Sequence, residues 1–422
     1  MLNKKTKRHK SELRSVCKMN NWLRNKQKFL GTVGTFTMLI FTCFVTPFSL
    51  DMYTPALPQM VVFFNSDVAT VNLTILCFYV FFAAGQLILG SLSDNVGRKP
   101  ILIGGSIVYS VGSLACFMSQ DIIFLLISRI IQAIGAGAIA AVGIAMTKDL
   151  FKPEKLDAAL SIVTSIFGIG PIAAPLFGAL LMQVAGWHAI FAALFVFGLI
   201  CLLFGLFLQE PLSPEERTEG QGLKAISGLW RVLKNKAFTI FMCVMAILDV
   251  AFMAYISVVS HIYVTFFGLD EVGYGIYFGV GMMVMLVGPV LWPFASKIMN
   301  RKSYVWVLLG AYVLAGVLLI SVGSCSPVAF CTIFALLILA ESSSRPFSMA
   351  IMLAQQNEDA GAAGSLANCS RTVFGTIGMA VAVLPWDNFI FGLGVITLVS
   401  IASAVVLWIL LLRGNFDLRG VK

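Results

Sequence analysis

Six ionisable residues stand inside long apolar runs of this 422-residue chain: Asp51, Arg129, Asp249, Glu341, Arg345 and Arg371. Each would cost at least about 2.5 kcal/mol facing lipid at the centre of a bilayer, so each is expected to turn inward and find a partner. Carboxyls held in this way can do proton chemistry. Desolvation favours the neutral acid and a nearby guanidinium favours the anion, so a carboxyl between the two exchanges its proton when conformation changes the balance. Asp51 lies near one end of its run, and Arg129 lies about eight residues from the end of another, roughly 12 Å deep. That allows the two to sit at similar depth and to couple. Asp249 falls about twelve residues into its run, at 1.5 Å per residue close to the midplane. No base adjoins it in sequence, which marks it as a second proton-site candidate; the alternative is a pair with Arg371 or Arg345. Glu341 and Arg345, one helical turn apart, can neutralise each other and read as structural. Arg371 has no assigned role. For all six the plainer alternative is a set of buried ion pairs that fix helix packing.

The elements that must position these groups follow from composition. The chain is 59% hydrophobic and 12% charged, with mean hydropathy +0.92, whereas soluble proteins carry roughly 25% charged residues. Water is not its main solvent. Apolar runs long enough to cross a hydrocarbon core of about 30 Å recur throughout, and they lack the alternating polarity of a membrane barrel. The reading is an all-α membrane protein with twelve transmembrane helices. They are expected at 30–56, 68–92, 100–118, 121–147, 157–183 and 187–208, then at 237–266, 273–297, 303–323, 327–352, 361–384 and 389–412. This divides the chain into a basic segment (1–29), a six-helix bundle (30–208), a linker (209–236), a second six-helix bundle (237–412) and a tail (413–422).

Charge supplies the orientation. Lys and Arg crowd the segment before the first span, and Arg98, Lys99, Lys148, Lys152, Lys155, Lys297, Arg301 and Lys302 occupy the even-numbered turns. The opposite loops hold Asp67, Asp121, Asp270, Glu271 and Asp387 and no base. Positive segments stay inside, so both termini and the linker are expected to be cytoplasmic. The first run is too long for a signal peptide and no small-residue cleavage site ends it, so it is expected to be retained. The formal charge of +9 is accounted for by these positions, which leaves no case for nucleic acid as a partner. The nine cysteines are scattered without a CxxC pair and read as apolar packers, not metal ligands. His9, His188 and His261 do not cluster and no nucleophile motif appears, so the chain does not read as an enzyme. No GxxxxGK[ST] loop is present for direct use of ATP.

The halves echo each other. Ser93-Asp94-Asn95-Val96-Gly97-Arg98-Lys99 aligns with Ser296-Lys297-Ile298-Met299-Asn300-Arg301-Lys302 at an offset of 203 residues. Duplicated halves are the build of many secondary transporters, with the binding site near the bilayer midplane. The turn that begins at Gly90 and ends at Pro100 resembles the GxLxDxxGRKxxL signature of the major facilitator superfamily. Leu50-Asp51-Met52-Tyr53-Thr54-Pro55-Ala56-Leu57-Pro58 resembles the LDxYLPALP segment of its Bcr/CflA-type twelve-span drug/proton antiporters. Arg129-Ile130-Ile131-Gln132-Ala133-Ile134-Gly135-Ala136-Gly137 is similar to the RxxQGxGA element, with Ala133 for the usual glycine. The run from Gly168 to Gly178 is similar to the span 5 antiporter element. In the second half the match is by layout, and Lys297 and Asn300 replace the acidic and second glycine positions of the turn.

This resemblance implies proton-coupled efflux of small, mostly lipophilic drugs or toxic compounds by alternating access. The proton gradient drives it without a cofactor, and the partners are a small-molecule substrate, protons and the bilayer, with the chain acting as a monomer. Asp51, Arg129 and Asp249 become proton-coupling candidates, and Tyr53, Tyr79, Tyr255 and Gln132 cavity candidates. Gly90, Asp94, Gly97 and Arg98 are assigned to a cytoplasmic gate. Gly170, Pro171, Pro175 and Gly178 are assigned to a bent, closely packing antiporter helix. Met282, Met283 and Met285 and the aromatics between Phe191 and Phe207 read as core or lipid-facing surface, and His261 as a satisfied polar residue. The rivals are a nutrient or metabolite symporter of the same fold, a polytopic membrane enzyme, and a receptor or scaffold needing no titratable cavity.

Overall fold

A computed structural model describes residues 22–24, 27–212, 230–354 and 360–414. The first 21 residues, most of the linker and nearly all of the tail lie outside the described residues.

The long helices are α1 (Gly31–Asp51), α2 (Val68–Val96), α3 (Arg98–Phe117), α4 (Ile122–Leu150), α5 (Pro153–Ala185) and α6 (His188–Phe207). After the linker come α7 (Lys236–Ser260), α8 (Glu271–Ala295), α9 (Arg301–Val322), α10 (Pro327–Ala354), α11 (Ala360–Ala382) and α12 (Phe389–Arg413). Their order and limits follow the twelve expected spans closely, because continuous apolarity with caps at both ends is a local signal.

Two spans are less uniform than expected. The first breaks at Asp51 into a 3-10 turn (Thr54–Ala56) and a short helix (Leu57–Phe63), where Pro55 and Pro58 lack the backbone N–H that would continue the α-helical ladder. The seventh passes from α7 into a π-helical turn, His261–Phe266.

Among the described residues, ten helical segments are long and apolar enough to cross a membrane. α11 is not one of them. It is built largely from Ala, Gly, Ser and Thr, carries Arg371, and packs closely on α7: a Cβ on Gly375 would meet Met253 at 2.6 Å. In α5 the apolar stretch among the residues whose side chains are described is Ile169–Ala185.

Several loop acids and amides have local work as caps. Asp121 accepts from Ile123 N and Phe124 N, both at 3.0 Å, and Asp270 from Gly273 N at 2.9 Å. Asn300 and Asn388 do the same for Ser303 N and Ile390 N, each at 2.8 Å. Each satisfies a backbone donor that the first turn of a helix leaves open.

The described residues fall into two compact units. One draws on Met1–Leu50, Phe81–Gly170 and His188–Glu219. Within it, Leu23 pairs with Phe151 as an antiparallel bridge, and Arg24 N donates to Leu150 O at 2.7 Å. The other draws on Asp51–Val80, Pro171–Trp187 and Gly220–Lys422. The cut points lie at the end of α1, inside α2 and α5, between α5 and α6, and in the linker, so this grouping differs from a single chain-order division at the linker.

Candidate functional site

The densest chemistry in the second unit starts on α10. Glu341 and Arg345 stand one turn apart, and Arg345 Nε donates to Glu341 Oε1 at 2.6 Å. Asp249, from α7, reaches the same group: its Oδ1 accepts from Arg345 Nη2 at 3.2 Å. Arg371, from α11, completes the set by donating from Nη1 to Asp249 Oδ2 at 2.6 Å and to Glu341 Oε1 at 3.4 Å. Its Nη2 reaches the hydroxyls of Ser344 and Ser348, each at 3.1 Å. Two carboxylates and two guanidinium groups from three helices thus balance in charge. Burial is graded: the side chains of Glu341 and Asp249 are 0% and 1% exposed, Arg371 9% and Arg345 40%.

These contacts give Asp249 both of the partners considered for it, Arg345 and Arg371. It is not an uncompensated acid; both of its oxygens are paired. The expected Glu341–Arg345 pair is present, but as half of a larger network, since one helix cannot supply the partners that α7 and α11 bring. Oε2 of Glu341 is buried without a hydrogen-bond partner among the described residues.

A cavity of about 130 Å³ adjoins the network and is lined by Asp249, Arg345, Arg371, Tyr79, Asn368 and Thr376, among others. Of the four residues assigned to a cavity from sequence, Tyr79 is the one that lines it. Tyr255 is stacked on Phe334, centroid to centroid 3.9 Å, and on Phe278 at 6.0 Å. It belongs to an aromatic core. The Tyr53 hydroxyl is bound to that of Thr74 at 2.6 Å. Gln132 accepts from Arg129 Nη1 at 2.7 Å and donates to Ser113 Oγ at 2.8 Å. A helical residue's face cannot be judged from its type alone, which is why these three point elsewhere.

Asp51 ends α1, is 6% exposed, and makes no ion pair among the described residues. Its backbone oxygen accepts from Thr54 Oγ1 at 2.7 Å, so the hydroxyl contact between Thr54 and Tyr274, also 2.7 Å, takes its proton from the tyrosine. Arg129 belongs to the other unit. It donates to Ser49 O at 3.1 Å, and its guanidinium lies 5.9 Å from the centre of the Phe191 ring. His261 departs from expectation: it is 4% exposed, and its Nε2 has no hydrogen-bond partner among the described residues. It stands in the π-helical turn, facing the Phe389 ring at 6.3 Å.

The α2–α3 turn is a second site of concentrated charge. Gly97, at φ +116°, takes a backbone conformation that side chains disfavour. Arg98 then ties the turn together through Asp94 at 2.6 Å, Asp149 at 2.8 Å and Ser93 Oγ at 2.6 Å. Glu210 accepts from the backbone N–H of Arg98 at 2.8 Å and of Lys99 at 3.0 Å, capping α3. The sequence gives only weak signals for Asp149 and Glu210, an acid just inside the end of α4 and another just past α6. Gly90 faces α4, where a Cβ would meet Ala141 at 3.2 Å.

In α5, Pro171 and Pro175 stand inside the helix. A side chain on Gly170 would collide with Pro47, and one on Gly178 with the carbonyl oxygen of Met52. Both glycines therefore serve close approach to the α1 segment.

Comparison with known proteins agrees with this architecture. The family model described as Major Facilitator Superfamily matches residues 39–383. Multidrug resistance protein MdtL of Salmonella paratyphi A is 26% identical over 305 residues, 72% of this chain and 76% of that protein. The uncharacterized MFS-type transporter YdgK of Bacillus subtilis (strain 168) is 28% identical over 260 residues, and the matched part spans 65% of its length. Among solved structures, the peptide transporter POT in complex with sulfate has a TM-score of 0.73 at 14% identity, covering 94% of this chain and 98% of that one. A bacterial homolog of the human lysosomal transporter Spinster, inward-facing and unoccupied, has a TM-score of 0.68 at 14% identity, covering 89% and 94%. The structures share the fold, and the family model extends from α1 through α11, so this chain belongs to the major facilitator superfamily.

Proposed function

We propose that the chain exports small, mostly lipophilic drugs or toxic compounds across a bacterial inner membrane in exchange for protons, by alternating access. The observation that carries this reading is the buried network of Asp249, Glu341, Arg345 and Arg371 against a cavity. Ionisable groups at membrane depth mark substrate and proton paths, and a network balanced in charge changes its net charge by one with each proton it takes. Entry of a proton from outside onto Asp51 or Asp249 weakens the hold on cargo or on a guanidinium and biases the return to the inward-open state. Kinship with MdtL, which is named for multidrug resistance, supports drug-like cargo. The positive-inside pattern supports cytoplasmic termini and the Bcr/CflA-like motifs support antiport.

Everted vesicles containing the protein should discharge a preformed pH gradient when a lipophilic antibiotic or dye is added. Asp51→Asn should abolish the response at unchanged expression. An unaltered response in both Asp51→Asn and Asp249→Asn would remove these acids as proton sites.

A further inference from the structure

We propose that the cavity beside the network is a head-group site for a carboxylate anion, with Arg345 as its charged fork, so that the cargo is an amphipathic compound bearing such a group. The proposal rests on the transport reading above and narrows its substrate class.

Asp249 and Glu341 are almost wholly shielded, and Asp249 has both oxygens engaged by guanidinium groups. Arg345 is 40% exposed and lines the cavity; it spends Nε on Glu341 and Nη2 on Asp249, and its Nη1 has no protein partner among the described residues. The network is neutral as a whole, yet the charge it presents is positive. A cationic cargo would find no open carboxylate, whereas an anion finds a planar donor already held in place. Arginine is suited to that task because its fixed fork matches the geometry of a carboxylate.

The rest of the lining fits the same group. Asn368 carries amide donors and Tyr79 a hydroxyl. Thr376 and Thr372 donate back to their own helix, to Thr372 O at 2.8 Å and Asn368 O at 3.2 Å, which leaves their oxygens as acceptors. A carboxylate with a neighbouring N–H would use both kinds of partner. Met253 and Met379 supply apolar, adaptable walls. The volume of about 130 Å³ is close to the roughly 150 Å³ that encloses one benzene ring. The space holds a head group and not a whole drug.

The test is equilibrium binding to the full-length protein in neutral-lipid nanodiscs, with no pH gradient and with empty-disc controls. Dansylglycine, which carries a carboxylate beside an N–H, is compared with dansylglycinamide, its uncharged counterpart, through dansyl fluorescence. The wild type should prefer the carboxylate by about tenfold. Arg345→Gln should reduce that preference to about twofold or less, and Arg345→Lys, which keeps the charge and a tie to Glu341, should retain an intermediate preference. Equal binding of the two probes to the wild type overturns the proposal without recourse to any variant. So does a preference that survives intact in Arg345→Gln, or tighter binding of the cationic dansylcadaverine. A carboxylate preference alongside failure of the vesicle assay would sink the antiport reading and keep the head-group site; the reverse pattern would sink the site alone.

Discussion

The two duplicated halves put their fixed charge in different places. In the first, the ion pairs gather at the α2–α3 turn, where Arg98 joins Asp94 and Asp149. Deeper in, Asp51 makes no ion pair among the described residues and Arg129 is met by neutral acceptors, the Ser49 carbonyl and the Gln132 amide. In the second half the pairs gather within the helices, around Asp249 and Glu341. In the turn that aligns with the α2–α3 turn, Asn300 caps α9 and Lys297 lies 5.5 Å from the centre of the Phe294 ring. The two halves are alike in their layout of spans, yet the ion pairs seen among the described residues lie at the turn in the first and inside the helices in the second. A buried pair and a turn pair also differ in what their loss costs. Removing one member of the first strands a charge in a low dielectric; removing Arg98 from the second leaves Asp94, 47% exposed, where water can reach it.

The comparison can be broken at four points. Asp249→Asn should destabilise the protein by about 3–5 kcal/mol in thermal or denaturant unfolding, because Arg371 loses its shortest partner. Combining it with Arg371→Gln should cost less than the two single changes added together; strict additivity would show that the pair is not coupled. Arg98→Ala should cost about 1.5–3 kcal/mol, the range for charge-assisted hydrogen bonds, and addition of salt should narrow the gap to wild type. Asp51→Asn should change unfolding stability by less than about 1 kcal/mol, since no ion pair is lost, even though it silences the vesicle response. A large loss of stability there would reveal a structural role and undo the contrast between the two acids. Lys297→Ala should cost about 0.5 kcal/mol, the scale of an exposed cation–π contact. If it matched Arg98→Ala, the two turns would be equivalent after all.

How much of the site was legible differs from residue to residue. Asp249, Glu341, Arg345 and Arg371 all stand out in sequence as charges in apolar runs, and the pairing of Asp249 with Arg345 or Arg371 was one of the readings open to it. Neither alternative could be chosen, because the partners lie 96 and 122 residues away. Glu210 is harder still: nothing near it in the chain announces that it caps a helix starting 112 residues earlier. Tyr255 illustrates the opposite error. An aromatic residue in a span carries no mark of which face it occupies, and its ring is committed to Phe334 and Phe278.

By itself the sequence determined the all-helical membrane class, the order and approximate limits of the long helices, and the superfamily. These follow from apolarity, capping and short motifs, all of which act between residues close along the chain. Only the tertiary structure decided which acid is paired and which is not, that Arg345 is the charge left facing a cavity, and that the turn of the first half is held by Asp149 and Glu210. The physical reason is that electrostatic partners are chosen by distance in space, and packing of helices far apart in sequence sets those distances.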